Sequence, residues 1–434
     1  MANPFQSVRG FNDILPADSA GWQQLQRVAE EVFAAYGYSE IKLPLLEHTG
    51  LFKRAIGEVT DVVEKEMFSF EDREGDSLTL RPEATAGMVR AGLEHGLLHN
   101  QQQRLWLCGP MFRHERPQAG RYRQFHQLDV EAYGIPGPDV DVEIIALSAR
   151  LFKRLGLKNL TLELNSLGEA DTRQRYRQAL TDFLQGHEAS LDEDSRRRLK
   201  TNPLRVLDSK VPATQAIVRE APLMTDFLDA ASRAHFDGLQ QGLADLGIGF
   251  VVNPRIVRGL DYYTRSVFEW TTNELGSQGT VCAGGRYDGL IQQLGGTATP
   301  AIGWASGIER LLLLMKAQGA PTAQGSAQVY FCWLGDAAQR QAAKLAEQLR
   351  DALPQLRLVL HAGGGKLPAQ LKRADRSGAS LALILGEQEA AEGQVQVKLL
   401  REPSPPTSPQ TPCSWAELPQ RLAGLLQLKL REQS

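Results

Sequence analysis

The sequence predicts an α+β protein in which an antiparallel sheet flanked by helices is interrupted by a helical insertion and followed by a small α/β domain. Three observations carry this. RLWLCGPMFRHE and RYRQFHQLDVEAYG both alternate as strands do, and the Pro- and Gly-containing RPQAG between them reads as a hairpin loop. From about Ala170 to Leu246 strand signals give way to charged helical patterning, including the basic cluster Arg196, Arg197, Arg198 and Lys200. Beyond Ala317 to Gln328, a linker rich in Gly, Ala, Pro and Ser, the short apolar runs VYFCWL, RLVLH and LALILG alternate with helical segments and predict a largely parallel sheet. The expected domains are 1–169 with 248–320, an insertion at 170–247, and 328–434.

Each element has its own signal. Trp22, Leu25, Val28, Val32 and Tyr36 recur at three- and four-residue spacing, so Ser19 to Tyr36 predicts an amphipathic helix stopped by Gly37. SLTLRPEATAGMVRAGLEHG reads as a strand ending at Arg81, with Pro82 at a first helical position and a helix running to Gly96, which sets Glu83 and Thr85 at the corner. EIKLPLLE reads as a strand containing Pro44. FVVNPRIVRGLDYYTRSVFEW returns to strand patterning, AGGRYDGL marks a turn into a helix, and AIGWASGIERLLLLM gives a short strand, a Gly-rich turn and an apolar helix. Pro403 to Pro412 reads as a polar loop before a final amphipathic helix.

Composition narrows the class. The 434 residues are 42% hydrophobic and 23% charged, the range of an ordinary globular protein with two or three domains. A formal charge of −3 means that any nucleic-acid partner must be held by local basic patches. Cys108, Cys282, Cys332 and Cys413 form no C-x-x-C pair, which points to neither a zinc knuckle nor a disulfide framework. The amino terminus MANPFQSVRGFNDILP lacks the apolar stretch of a secretory signal, and no segment approaches the roughly 20 apolar residues that span a bilayer. A cytoplasmic protein with no membrane association is expected.

The chemistry concentrates on the hairpin. Period-two alternation puts Phe125, Gln127, Asp129 and Glu131 on one face and His126, Leu128 and Val130 on the other, with Arg113 on the strand opposite. Carboxylates and a guanidinium on one strand face are usually an exposed, salt-bridged surface; the alternative is a cleft for a small polar ligand. HAGGGKL superficially suggests a phosphate-binding loop, but the G-x-x-x-x-G-K-[ST] spacing lacks its first Gly, and Leu367 stands where the hydroxyl belongs.

The wording of these segments resembles a known family. FRHERPQAGRYRQFHQLDVE is similar to the second signature of class II aminoacyl-tRNA synthetases, and AIGWASGIERLLLL to their third. RGLDYYTR and AGGRYDGL resemble the two motifs that set histidyl-tRNA synthetases apart from other class II enzymes. TLRPEATA is similar to the family's amino-acid-binding corner, where the family commonly has Gly in place of Ala84. The resemblance implies a class II synthetase-like catalytic domain and a carboxyl-terminal anticodon-binding domain. It also implies a histidine–tRNA ligase that makes histidyl-adenylate from L-histidine and ATP, with Mg²⁺, and esterifies histidine onto its tRNA.

Carried over residue by residue, the resemblance implies that Arg113 and Arg258 converge on the α-phosphate, as the catalytic pair, serving where other class II enzymes rely on a metal. A guanidinium suits that task through bidentate, charge-assisted bonds to phosphate oxygens. Phe125 would stack on adenine, with Arg310 over its other face and toward the γ-phosphate. An imidazole carries one donor and one acceptor nitrogen when neutral, so its pocket needs complementary groups; the resemblance assigns Glu131 and Tyr263 to it. Glu83, Thr85 and Gln127 would hold the α-amino group, and Tyr262 and Tyr287 would line the pocket. Arg116 and Gln118 fall in the loop that, in the family, meets the tRNA acceptor end with its extra 5′ guanosine.

Lys366, Lys372, Arg373 and Arg376 could contact tRNA phosphates, although a charged helical face is more often simply solvated. The resemblance also implies a homodimer, with EIKLPLLE as the interface-building first signature. Two rivals are a regulatory paralogue of histidine biosynthesis without aminoacylation, and a class II synthetase for another amino acid. Arg113, Arg258, Arg310 and the carboxyl-terminal domain count against the first; RGLDYY and AGGRYDGL count against the second.

Overall fold

A computed structural model describes residues 5–57, 60, 62–118, 120–207, 209–256, 262–276, 279–320, 327–401 and 410–430. The chain divides into two compact units, Met1–Ala323 and Gln324–Ser434. The first is built on an eight-stranded sheet in the order Ser39–Glu40, Gln103–Phe112, Gln124–Tyr133, Ala301–Gly307, Thr280–Arg286, Thr264–Thr271, Thr161–Ser166, Val251–Val252. All neighbours are antiparallel except the pair at each edge. The expected hairpin forms its second and third strands, with Leu107 opposite Asp129, Gly109 opposite Gln127 and Met111 opposite Phe125.

Alternation makes the sheet two-faced. Leu128, Val130, Phe268, Trp270, Ile302 and Trp304 point one way and pack with Leu25, Ile144, Phe236, Leu239 and Leu311. These partners come from helices Pro16–Ala35, Pro138–Arg154, Ala230–Asp245 and Ile308–Ala317. Burying each such side chain contributes about 1.5–3 kcal/mol, which fixes the register, since a one-residue slip would turn the polar row into this core. The other face carries a second core, which includes Leu105, Leu107, Met111 and Val267, and the cleft.

Between Ala170 and Asp245 the described elements are all helical, and side-chain caps show why two of the helices begin where they do. Asp192 accepts the Ser195 N–H at 2.9 Å before Glu193–Thr201, and Asp229 accepts the Ser232 N–H at 2.8 Å before Ala230–Asp245.

Several local expectations need correction. EIKLPLLE is not one strand: Ser39–Glu40 joins the large sheet, and Leu46–His48 joins a separate three-stranded sheet with Ser77–Leu80 and Phe68–Glu71. Arg81 braces the break between them, donating to the carbonyls of Leu43, Pro44 and Pro110. The corner helix starts at Thr85, not Pro82, because the Glu83 carboxylate accepts the N–H groups of Thr85 and Ala86 at 2.9 and 3.0 Å and so serves as its cap. Ala84 has φ −101° and ψ −27°, open to any L-residue, so its methyl group is accommodated in the core without strain. The glycines of AIGWASG lie within a strand rather than a turn, and Arg113 sits one residue past its strand, in a loop spanning 113–123.

The second unit is a five-stranded sheet, Leu358–Leu360, Val329–Trp333, Leu381–Leu385, Gln394–Leu399, Thr411–Ser414. Only the first three strands are parallel; the last two are antiparallel, so the sheet is mixed. HAGGGKL is a left-handed loop, with φ of +92°, +64° and +99° at Gly363, Gly364 and Gly365. Buried side chains pin it: His361 Nε2 lies 2.8 Å from the Gly364 carbonyl, and Gln370 donates to Gly365 at 2.9 Å. Lys366, Lys372, Arg373 and Arg376 are exposed on or beside the helix Leu367–Arg376 that follows.

Candidate active site

The polar row of the hairpin faces a cleft with two lobes. The inner lobe, about 360 Å³, is lined by Glu83, Thr85, Gln127, Asp129, Glu131, Tyr262, Tyr263 and Tyr287. The outer lobe, about 250 Å³, is lined by Phe125, Gln127 and Arg310, and Arg113 borders both. The described residues expected to hold histidine and ATP therefore meet one cleft. Arg258 lies outside the described residues, and Arg116 and Gln118 are exposed on the hairpin loop.

Glu131 is the centre of the inner lobe. Its Oε1 accepts the Thr85 hydroxyl at 2.7 Å, and its Oε2 accepts the Tyr287 hydroxyl. The side chain is 2% exposed. Burial pushes its pKa up to about 8, against the opposing pull of the two hydroxyls. Around it stand three tyrosines, with Tyr262 centred 4.8 Å from Tyr263 and 5.6 Å from Tyr287. Burial likewise raises Glu83, which the Ala86 N–H and Arg113 partly offset.

The floor under these groups is made of small residues. Ala283, Gly285, Gly303 and Ala305 share the cleft face, while Ile302 and Trp304 turn into the core. A Cβ on Gly303 would land on the Glu131 carboxylate, and one on Gly285 would meet the Ser266 carbonyl at 2.5 Å, Val267 at 2.8 Å and the Tyr263 ring at 3.0 Å. Absent side chains thus create the pocket. The signal was present in AIGWASG and AGGR as small residues at every second position, although the glycines of AIGWASG read as a turn.

The outer lobe brings guanidinium groups and an aromatic ring together. The Arg113 guanidinium carbon lies 5.4 Å from the Phe125 ring centroid, and its Nε donates to the Pro82 carbonyl at 2.8 Å, tying the hairpin to the corner. Arg310 donates to the Thr280 carbonyl, and burial, aided by Arg121, lowers its pKa. Glu309 accepts the His126 N–H at 3.0 Å and lies 2.9 Å from His126 Nδ1, fixing the helix start on which Arg310 rides.

Sequence reasoning missed the support for Tyr287. The adjacent Arg286 is fully buried and meets Asp141 at 2.8 Å and Asp288 at 3.1 Å, while also donating to the carbonyls of Ile135 and Gly137. His235 Nε2 lies 2.8 Å from the other Asp141 oxygen. Burial pushes Asp141 up, but the His235 hydrogen bond and Arg286 outweigh it and leave its carboxyl below the usual range. Among the described residues no helix is long and apolar enough to cross a membrane.

A family model described as Histidyl-tRNA synthetase matches residues 10–311, and one described as Anticodon binding domain matches residues 328–408. Among solved structures, an apo histidyl-tRNA synthetase from S. aureus is 34% identical with TM-score 0.79, covering 96% of this chain and 99% of that one. A histidyl-tRNA synthetase from Nostoc sp. PCC 7120 shares the fold at 20% identity and TM-score 0.72, covering 98% and 100%. A protein from Bacillus halodurans C described as an ATP phosphoribosyltransferase regulatory subunit/histidyl-tRNA synthetase shares it at 22% and 0.66, covering 88% and 99%. Fold and site together are those of an aminoacyl-tRNA synthetase. The chain belongs to the histidyl-tRNA synthetase family.

Proposed function

We propose that this chain is a class II histidine–tRNA ligase that activates L-histidine with ATP and transfers it to the 3′ end of histidine tRNA. The observation that carries the amino-acid choice is the buried Glu131, clasped by the hydroxyls of Thr85 and Tyr287 within a cage of tyrosines. A carboxylate held from both sides accepts an imidazole N–H, and Tyr263 meets the other end of the ring. An amino acid without a matching donor leaves these groups unpaired, which gives strong rejection. Glu83, Thr85 and Gln127 serve the α-amino end, and Tyr262 and Tyr287 the walls.

The shared border of the two lobes supports the chemistry. The amino-acid carboxylate attacks the α-phosphorus where the lobes meet, the bond to the β-phosphate breaks and pyrophosphate leaves, and Arg113 lines both lobes. Phe125 stacks on adenine, and Arg310 reaches its other face and the γ-phosphate; ATP is taken as its Mg²⁺ complex. Arg258, assigned by resemblance, adds a second guanidinium. Two fixed cations in a water-excluded site stabilise the charge gathering on the phosphoryl oxygens with little reorganisation.

The anticodon-binding match over 328–408 supports tRNA as partner, with Lys366, Lys372, Arg373 and Arg376 as phosphate contacts and Arg116 and Gln118 at the acceptor end. Domain limits of 1–169 with 248–320, 170–247 and 328–434 fit this division of labour, in the cytoplasm. A homodimer is supported by the three-stranded sheet: Leu46, Phe70, Leu78 and Leu80 share one face, and Leu46 and Phe70 are exposed there. Aminoacylation of histidine tRNA with and without its extra 5′ nucleotide tests the whole reading. Charging that depends on that nucleotide is expected; no charging of either form refutes it.

A further inference from the structure

Asp129 has no role in the scheme above, yet it is 1% exposed and lines the inner lobe between Gln127 and Glu131 on the same strand face. Its Oδ2 has no hydrogen-bond partner among the described residues, and neither has Oε1 of Gln127, two positions away on the same face. Buried acceptors are almost always satisfied, and an unpaired carboxylate oxygen is the costliest kind to leave bare. Two open acceptors side by side call for one ligand group with several donors.

We propose that Asp129 is the charged anchor for the α-ammonium of the amino acid, gripping it together with the Gln127 carbonyl oxygen. This rests on the histidine-pocket reading and deepens it. An ammonium carries three N–H donors and a positive charge to set against Asp129. Glu83, the other acid at this end, already gives both oxygens to the Thr85 and Ala86 N–H groups, so its first duty is to hold the corner. The nearby cations do not fill the need. Arg81 commits Nε and Nη1 to backbone carbonyls, and Arg113 commits its Nε to Pro82. Burial and Glu83 hold the empty Asp129 well above the usual carboxylate range, which Arg81 and Arg113 only partly offset.

The test compares two ligands that differ only at the ammonium. Histidinol keeps it, and 3-(imidazol-4-yl)propan-1-ol lacks it. Dissociation constants for both are measured calorimetrically on wild type, Asp129→Asn and Asp129→Ser. Wild type is expected to prefer histidinol, and both variants to lose about 10- to 100-fold of that preference, with the affinity for the deamino ligand unchanged. Because Oδ2 of the buried Asp129 has no partner among the described residues, neither variant should melt below wild type. A preference kept in the variants, no preference in wild type, or a variant that fails to fold would each overturn the role of Asp129. Failure of wild type to bind either ligand would instead overturn the histidine pocket itself.

Discussion

Replacing Glu131 by Gln keeps the shape of the side chain and removes its charge, which separates the cost of the pocket from its use. In the folded, empty protein the carboxyl titrates near 8 rather than at its ordinary 4.5, because burial disfavours the anion. Below the ordinary value the group is protonated in folded and unfolded chains alike, and it contributes no pH dependence. As pH rises from there to about 8, the unfolded chain gives up a proton that the folded one retains, so stability falls by about 1.4 kcal/mol per pH unit. Above 8 the penalty is complete and on the order of 5 kcal/mol, enough to shift a melting temperature by roughly 10 °C or more. Thermal melts of ligand-free wild type and Glu131→Gln from pH 5 to 9 read this directly. Acids remote from Glu131 add a common slope that cancels in the difference, whereas Asp129 and Glu83, which help to raise its pKa, are themselves relieved in the variant. The variant should gain on wild type steadily up to pH 8, then hold its lead, while losing histidine-dependent activation. Parallel melting curves at every pH, or a variant that still activates histidine with wild-type KM, would refute the reasoning.

Other substitutions test the remaining parts of the site. Tyr287→Phe removes one donor from a buried carboxylate, a loss of about 1.5–3 kcal/mol, so KM for histidine should rise about 10- to 150-fold with KM for ATP unchanged in steady-state kinetics. Gly303→Ala sets a methyl group on the Glu131 carboxylate; histidine activation should collapse while the circular dichroism spectrum persists. Arg258→Ala should lower kcat for adenylation by at least about 100-fold while moving KM little, because its contact strengthens in the transition state. A change confined to KM would mean that it only binds ground-state substrate.

Much of the site could be read from sequence because strand geometry is rigid. Once RYRQFHQLDVE is a strand, Phe125, Gln127, Asp129 and Glu131 must share a face, and the structure gives that face to the cleft. Family wording supplied the partners from distant segments, which alternation alone cannot join. What escaped were residues whose role reverses a local rule. Arg286 looks like a surface charge and is fully buried, because two carboxylates and two carbonyls compensate it. Glu83, read at the strand-to-helix corner, also closes the helix start, its carboxylate accepting the Thr85 and Ala86 N–H groups from just before the N-cap residue Ala84. In the second unit, QVQVKL is a weakly apolar strand, and Pro412 hid the last one; a proline is tolerated there because Thr411–Ser414 forms the sheet edge.

The central claim is that the inner lobe selects an imidazole. Exchange of labelled pyrophosphate into ATP, driven in turn by histidine, threonine and proline, asks this of the purified protein without any RNA. Rapid exchange with histidine and only background with the other two is expected. Comparable exchange with either competitor, or none with histidine, would contradict it.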